Sequence, residues 1–317
     1  MSVRTDHPER LGQHAAPTAS RRPPRRRKLR LSWFDAVLLA LIAAAVTFVG
    51  YRISVGLDYK WDWSVVRDFT VRVNGETGAW EANLLLTGLL STIRIVLWAG
   101  LLALIIGIGI GLCRTSQIPL LRLVARAYVD LIRGIPPLVI IFVFFFFISS
   151  QLIPLTGIVG ALRSASPEVL GIVSVLLGPP QLVPAFISAT ICLALFEAAY
   201  VAEIVRAGIE SIERGQIEAS RSLGLSSIDA LRFVILPQAL QRMLPPLAGQ
   251  FISLIKDSSI ASLISVQELA FMAAQVSAST YRIFEVWLTV AGMYFVMCFG
   301  LALLVERLEQ RLQRRAR

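Results

Sequence analysis

The stretch Ala198 to Ser259, AAYVAEIVRAGIESIERGQIEASRSLGLSSIDALRFVILPQALQRMLPPLAGQFISLIKDSS, decides how this chain is read. It leaves one apolar segment, runs through a long passage of mixed charge and enters another apolar segment. The passage is too polar to sit in lipid and too regular for a loose linker. Ile209, Ile212, Ile217 and Leu223 recur at roughly helical spacing, with Glu210, Glu213, Glu218 and Arg221 between them. Gly224 fits a helix stop, because glycine adopts the left-handed conformation there at little cost. Ser226 follows as an N-cap, with Asp229 three residues on in place of the usual capping-box acid. A second helix carries Ile228, Leu231, Val234 and Ile235 and is expected to bend or end near Pro237. Small Ala219 and Ser220 would let another surface approach the turn. The stretch therefore predicts a short helical hairpin lying against a membrane with a face kept for a partner. The plainer alternative is a solvated loop with helical caps.

The hairpin also carries a family pattern. Glu218-Ala219-Ser220, then Gly224 after three residues, then Val234-x-Leu236-Pro237 after nine more, resembles the "EAA" loop of ABC importer membrane subunits. Ser220 replaces that pattern's second alanine and Val234 its isoleucine. AAYVAEIVRAGI, ERGQIEASRSLG, VILPQALQ, LIKDSSI and RGIPPLVIIFVFFF (Arg133 to Phe146) resemble the polar amino acid branch: histidine, glutamine, glutamate, arginine and opine permeases. The resemblance covers residues 83–306. It implies an all-α polytopic helix bundle of the type I importer (MetI-like) permease fold, in a bacterial cytoplasmic (inner) membrane. It implies that Glu218, Ala219, Ser220, Gly224, Leu236 and Pro237 couple this chain to an ATPase. The other implied partners are a second permease subunit, identical or related, a second ATPase subunit and an extracytoplasmic amino-acid-binding protein. ATP and Mg would reside in the ATPase, this chain holding no cofactor of its own.

Composition is consistent with such a chain. Of 317 residues, 56% are hydrophobic and 16% charged, against about 25% charged in soluble domains. His7 and His14 both lie in the polar N-terminal tail, which removes histidine chemistry and a histidine metal site from the folded part. Cys113, Cys192 and Cys298 are far apart within apolar runs and read as small buried hydrophobes. There is no CxxC pair, no HExxH and no GxxxxGK[ST] phosphate loop, so an ATP-driven process needs another chain to bind the nucleotide. A net charge of +10 invites a nucleic-acid reading. Arginines instead crowd the chain ends and the short loops between apolar runs, as in membrane proteins, and no nucleic-acid partner is expected.

Residues 1–32, with RRPPRRRKLR at Arg21 to Arg30, read as a disordered basic tail suited to anionic lipid. Trp33 to Ile53 is long enough to span, since twenty helical residues cross a ~30 Å core, and it reads as a retained anchor rather than a cleaved signal peptide because the basic region before it is too long and no clear small-x-small cleavage site follows. Together with the polar loop to Ala82, rich in Tyr59, Trp61, Trp63 and Trp80, it forms an extra N-terminal segment, residues 33–82. The permease core, 83–306, is expected to hold spans at Asn83–Cys113, Ala127–Ile148 (interrupted by Pro136-Pro137), Leu182–Val205, Leu247–Val266 and Ile283–Val305. Arg114 to Arg126 reads as a basic turn, Val169 to Leu177 as a re-entrant or interfacial helix, and 206–245 as the coupling loop. Gly107-Ile-Gly109-Ile-Gly111 lacks the strand and acidic partner of a dinucleotide loop and reads as close helix packing. No strand pattern is visible. Residues 307–317 form a second basic tail.

Lysine and arginine set the orientation. Nine lie in the N-terminal tail, four between spans two and three, five in the hairpin region and five in the C-terminal tail, against five in the opposite loops. The positive-inside rule places both termini and the hairpin in the cytoplasm.

Charges inside apolar segments are the candidate transport residues, because each costs ~2.5–3.5 kcal/mol near the bilayer centre. Lys256 and Asp257 suit the carboxylate and ammonium of a zwitterion, with Ser258 and Ser259 adding hydrogen bonds. Inter-helix pairing with Glu197 or Arg94 is the structural alternative. Glu203 and Arg206, three apart, share a helix face and read as an ion pair at the membrane boundary or as ligand contacts. The sequence thus predicts a permease subunit moving polar L-amino acids by alternating access, not itself an enzyme. The alternative is an ion-coupled secondary transporter using Lys256 and Asp257. An intramembrane enzyme lacks any recognisable catalytic group.

Overall fold

The computed structural model describes residues 33–56, 59–75 and 78–315. By its internal packing the chain divides into two units, residues 1–60 and 61–317. The first contains helix α1 (Trp33–Gly56), apolar from Trp33 to Arg52 and long enough to span. The expected basic tail, 1–32, lies outside the described residues.

The second unit opens with α2 (Ser64–Thr70) and a two-stranded antiparallel ribbon, β1 (Val71–Val73) and β2 (Trp80–Ala82). The sequence shows no strand pattern because three residues are too few for a visible alternation. Arg72 and Glu81 face each other across the ribbon at 3.1 Å. A 2.6 Å bond from Asn74, then Arg72, holds the Glu81 carboxyl below the usual carboxylate range. The segment is tied down where the Asp62 amide donates to the buried Glu285 carboxylate at 2.8 Å.

The helices follow: α3 (Leu84–Thr115), α4 (Pro119–Gly134), α5 (Pro137–Val143), a π-helical stretch (Phe144–Ser149), α6 (Ser150–Leu155), α7 (Ile158–Arg163), α8 (Pro167–Leu176), α9 (Val183–Glu210), α10 (Arg214–Ser222) and α11 (Ser227–Asp229). A second π-helical stretch (Ala230–Ile235) leads into α12 (Leu236–Asp257), a 3₁₀ stretch (Ser258–Ile264), α13 (Leu269–Thr280) and α14 (Ile283–Arg315). Among the described residues five helices are long and apolar enough to cross a membrane. The pair Ser227–Ile264 and Leu269–Thr280, bent by 52°, is apolar enough when taken together and makes a sixth when counted as one broken span.

Helix α9 is the centre, with 67% of its apolar window buried against 6% for α14. Its main neighbour is α3, whose buried face runs Gly88, Thr92, Ile95, Ala99, Ala103, Gly107 and Gly111, every three or four residues. A Cβ on Gly107 would stand 2.5 Å from the Val201 Cβ, and one on Gly111 2.6 Å from that of Val205. The two backbones touch through these glycines, as small residues permit in membrane helices. Gly109 has nothing within 4 Å, because its position two residues away points to the other side of the helix.

Two expectations need correction. Ala127–Ile148 is not one span. The basic turn expected at Arg114–Arg126 becomes α4 from Pro119, an amphipathic helix of 16 residues, and the crossing runs from Pro137 to Leu155. The cause is Ile135-Pro136-Pro137: the first proline keeps Ile135 extended and the second starts a new helix. The helix of the fifth crossing begins well before Leu247, α12 starting at Leu236 and continuing helical through Pro245 and Pro246. The expected last span lies in α14, which stays helical through the basic tail to Arg315. Near Val169–Leu177 the expected helix is present as α8.

Candidate functional site

The hairpin is built by local chemistry and anchored by apolar packing. Ile212 is buried with Val205, Ile235, Ala239 and Met243, and Ile209, Ile217 and Leu231 pack against them. The Arg242 guanidinium donates to the Ser211 carbonyl, closing the end of α9 onto α12. Helix α10 ends in a Schellman turn. The Leu225 amide donates to the Ser220 carbonyl at 3.1 Å and the Gly224 amide to Arg221 at 2.9 Å. Gly224 has φ +78°, the left-handed region that disfavours a side chain. Ser226 then caps α11: its Oγ accepts from the Asp229 amide at 3.1 Å and donates to the Asp229 carboxylate at 2.6 Å. Before Pro237, the ladder widens into the π-helical stretch rather than ending, which accommodates the ring and its missing N–H.

What this hairpin leaves outside is as informative as what it buries. Glu218, Ala219, Gly224 and Pro237 are exposed, and Leu236 is half-buried. Ser220 is not part of that surface: it is buried, its Oγ donating to the Ile217 carbonyl at 2.7 Å. Its smallness serves packing within the chain. Leu223, Ile228 and Phe233 are 81, 76 and 62% exposed around the turn.

The polar groups within the membrane fall into two neighbouring clusters along α9. Glu197 is buried and accepts from Gln250 Nε2 at 2.6 Å, and the Asp257 carboxyl lies against it. The cavity beside Glu197 and Gln250 is about 10 Å³, room for about one water. Lys256 is exposed, and Asp257 ends α12 where the backbone tightens to 3₁₀ geometry. Ser258 and Ser259 do not reach for a ligand. Their hydroxyls donate to the Ile255 and Lys256 carbonyls at 2.7 and 2.6 Å. Arg94 makes no ion pair with Asp257 among the described residues. Its Nε donates to the Val175 carbonyl at 2.9 Å, beside Trp98 on Leu176, so both finish α8.

Further along α9, Glu203 is the hub of an ion-pair network. It binds Arg206 on its own helix and Arg114 at the end of α3, with Arg133 of α4 at 3.7 Å. Arg206 also holds Glu210. Arg133 stacks over the Tyr200 ring at 5.3 Å, linking this network to the first cluster. The structure therefore joins Glu203 and Arg206 to each other and to Arg114, and keeps Lys256, Ser258 and Ser259 apart from that network.

The sequence did not point to a third cluster, at the 52° bend. Glu268 is fully buried and caps α13 by accepting from the Phe271 amide at 2.8 Å. Tyr294 Oη donates to it at 2.7 Å and Thr92 Oγ1 at 3.3 Å. Thr92 Oγ1 also accepts from the Leu269 amide at 3.1 Å. One carboxylate pins α3, α13 and α14 at the break.

The chain was compared with known proteins. The profile of the family described as "Binding-protein-dependent transport system inner membrane component" matches residues 99–314. The probable glutamine ABC transporter permease protein GlnP of Bacillus subtilis is 37% identical over 227 residues, covering 71% of this chain and 91% of that protein. The glutamine transport system permease protein GlnP of Escherichia coli K12 is 32% identical over 225 residues, covering 69% and 90%. A solved structure described as an amino acid ABC transporter with histidines superposes with TM-score 0.62 at 31% identity, over 80% of this chain and all of that one. An inward-facing MetNI methionine ABC transporter structure, at 20% identity and TM-score 0.53, shares the fold, covering 72% of this chain and 95% of its own.

Proposed function

This chain belongs to the family of binding-protein-dependent transport system inner membrane components, and we propose that within it the chain moves polar L-amino acids. It is a multi-pass membrane permease of an ABC importer. That membership sets aside the ion-coupled carrier. The amino-acid assignment is supported by relatives named for glutamine transport and by the structural match to an amino acid transporter. The partners we assign are a second permease, identical or homologous, two ATPase subunits carrying ATP and Mg, and an extracytoplasmic binding protein. Both termini and the hairpin face the cytoplasm, as the distribution of arginine and lysine supports.

One observation carries the coupling assignment: the exposed apolar turn of Leu223, Ile228 and Phe233 around an open Gly224, on a hairpin anchored to α9 and α12. An ATPase docked there by Glu218, Ala219 and Gly224 pulls on the central helix through Ile212 and on the fifth crossing through Ile235 and Ala239. Ser220 and Leu236 shape the hairpin from within, and Pro237 shapes it through its backbone at the widened ladder. Closure of the ATPase dimer then biases the bundle between two packings, which is how a partner drives alternating access. The substrate passes near Lys256 and Asp257, on the face shared with the second permease. Ser258 and Ser259 hold the backbone there, and Glu203 and Arg206 close the cytoplasmic end.

Gly224→Asp tests this. The variant should insert in the membrane at wild-type level, lose the ATPase subunit in a detergent pull-down and abolish uptake. Normal uptake by the well-expressed variant would overturn the docking assignment.

A further inference from the structure

Helix α4 carries a second unfinished surface, away from the coupling turn. A cavity of about 460 Å³ lies between α4 and the ends of α3 and α9, lined by Arg114, Arg122, Arg126, Arg206 and Glu210. Its charges do not balance. Arg114 and Arg206 are engaged by Glu203 and Glu210, and Arg114 also offsets the negative C-terminal end of α3. Arg126 reaches Asp130 only at 3.9 Å, with both side chains more than 60% exposed. Arg122 makes no ion pair among the described residues. Arg122 and Arg126, four residues apart, therefore present two guanidinium groups from one helix face into the cavity.

The rest of α4 says what kind of anion belongs there. The helix spans about 24 Å if straight, yet carries three arginines and an aspartate and is too polar to cross. Its inward face is narrow, Ala125 and Val129. Leu120, Leu123, Val124 and Leu131, each at least 60% exposed, occupy the far side. A helix with apolar side chains outward and arginines beside its buried edge lies in the plane of the membrane boundary. A soluble anion uses only the arginines. A phospholipid uses both halves, its phosphate on the guanidinium pair and its chains along the leucines. Arginine forks match phosphate oxygens two at a time, and basic pockets between membrane helices hold anionic headgroups.

We propose that the cavity between α4, α3 and α9 is a binding site for the phosphate headgroup of an anionic phospholipid, with Arg122 and Arg126 as its ligands. The proposal rests on the membrane placement of the family and not on the substrate assignment. A lipid seated there bears directly on Arg114, Arg206 and Glu203, so lipid composition would set the stiffness of the network at that end of α9.

The test uses the full chain extracted from its membrane, with phosphatidylglycerol and phosphatidylcholine added separately and retention read by native mass spectrometry. Phosphatidylglycerol should stay bound through delipidation and phosphatidylcholine should not. Arg122→Gln with Arg126→Gln should weaken phosphatidylglycerol retention by about tenfold or more, while Arg232→Gln, on the hairpin, should leave it unchanged. Inorganic phosphate at millimolar concentration should neither displace the lipid nor raise the melting temperature. Equal retention by the double variant overturns the site, and stabilisation by phosphate alone shows an anion site without a lipid. Loss of an ATPase subunit from the double variant, with lipid retention intact, makes the arginines a protein contact instead. Because the readout is lipid binding, its failure leaves the transport assignment untouched.

Discussion

Two regions of this molecule use glycine for opposite reasons. On the α3–α9 seam, Gly107 and Gly111 are glycine because another helix is already there, with Val201 and Val205 in the space a side chain needs. At the hairpin turn, Gly224 is glycine because of its backbone, φ +78°, and the space around it is empty. The seam is complete within the chain. The turn leaves Leu223, Ile228 and Phe233 outside. The seam is thus a matter of folding, whereas the turn, as the docking site we propose, is a matter of function.

The largest effect expected from this contrast is at the seam. Gly107→Val would drive its Cβ into Val201 and toward the Ala198 carbonyl, 2.9 Å away, which is backbone and cannot step aside. The helices must separate along their main contact. The variant should yield little monodisperse protein by fluorescence-detected size exclusion, with the remainder melting well below wild type. Gly109→Val, on the same helix with nothing within 4 Å, should change stability by less than about 0.5 kcal/mol. Similar losses in both would mean that glycine is needed for the flexibility of α3 and not for the contact.

A smaller but substantial effect belongs to the bend. Glu268→Ala leaves the Tyr294 and Thr92 hydroxyls and the Phe271 amide without their shared acceptor in a buried place. Each unsatisfied buried group costs about 1–3 kcal/mol, so the melting temperature in detergent should drop by several degrees. Glu268→Gln keeps an acceptor oxygen and should recover most of the loss. If alanine and glutamine melt alike, the carboxylate does not hold the break.

The sequence made parts of this legible because their causes are local. Apolar runs of sufficient length gave the crossings. The Schellman turn at Gly224 and the cap at Ser226 are written within a dozen residues, and the helical period explains why only two of three clustered glycines touch α9. What stayed hidden is non-local. Glu268 meets Thr92 across 176 positions and Tyr294 across 26, and no spacing rule connects them. Helix α4 was hidden differently. It adjoins a true span across Ile135-Pro136, so its second half from Ala127 reads as the start of that span and its first half as a basic turn, until the extended backbone at Ile135 separates the two helices. Ser220 illustrates a third limit, since smallness in a sequence does not say which side of a helix needs the room.

The smallest effect is the most discriminating for the turn. Alanine and aspartate at position 224 both lose the freedom of glycine, but not equally. Asp is several-fold enriched in the left-handed region among non-glycine residues, so backbone strain alone predicts that Gly224→Ala is at least as harmful as Gly224→Asp. A docked partner predicts the reverse order. Alanine adds one methyl group to empty space and about 1 kcal/mol of strain at an exposed turn, whereas aspartate places a charge in the middle of an apolar contact. Uptake by Gly224→Ala should therefore stay within about threefold of wild type, a change of about 0.7 kcal/mol, while Gly224→Asp is silent. If the alanine variant is as inactive as the aspartate variant, with both expressed at equal levels, the conformation of the turn is what matters. The open space around Gly224 would then not be where a partner sits.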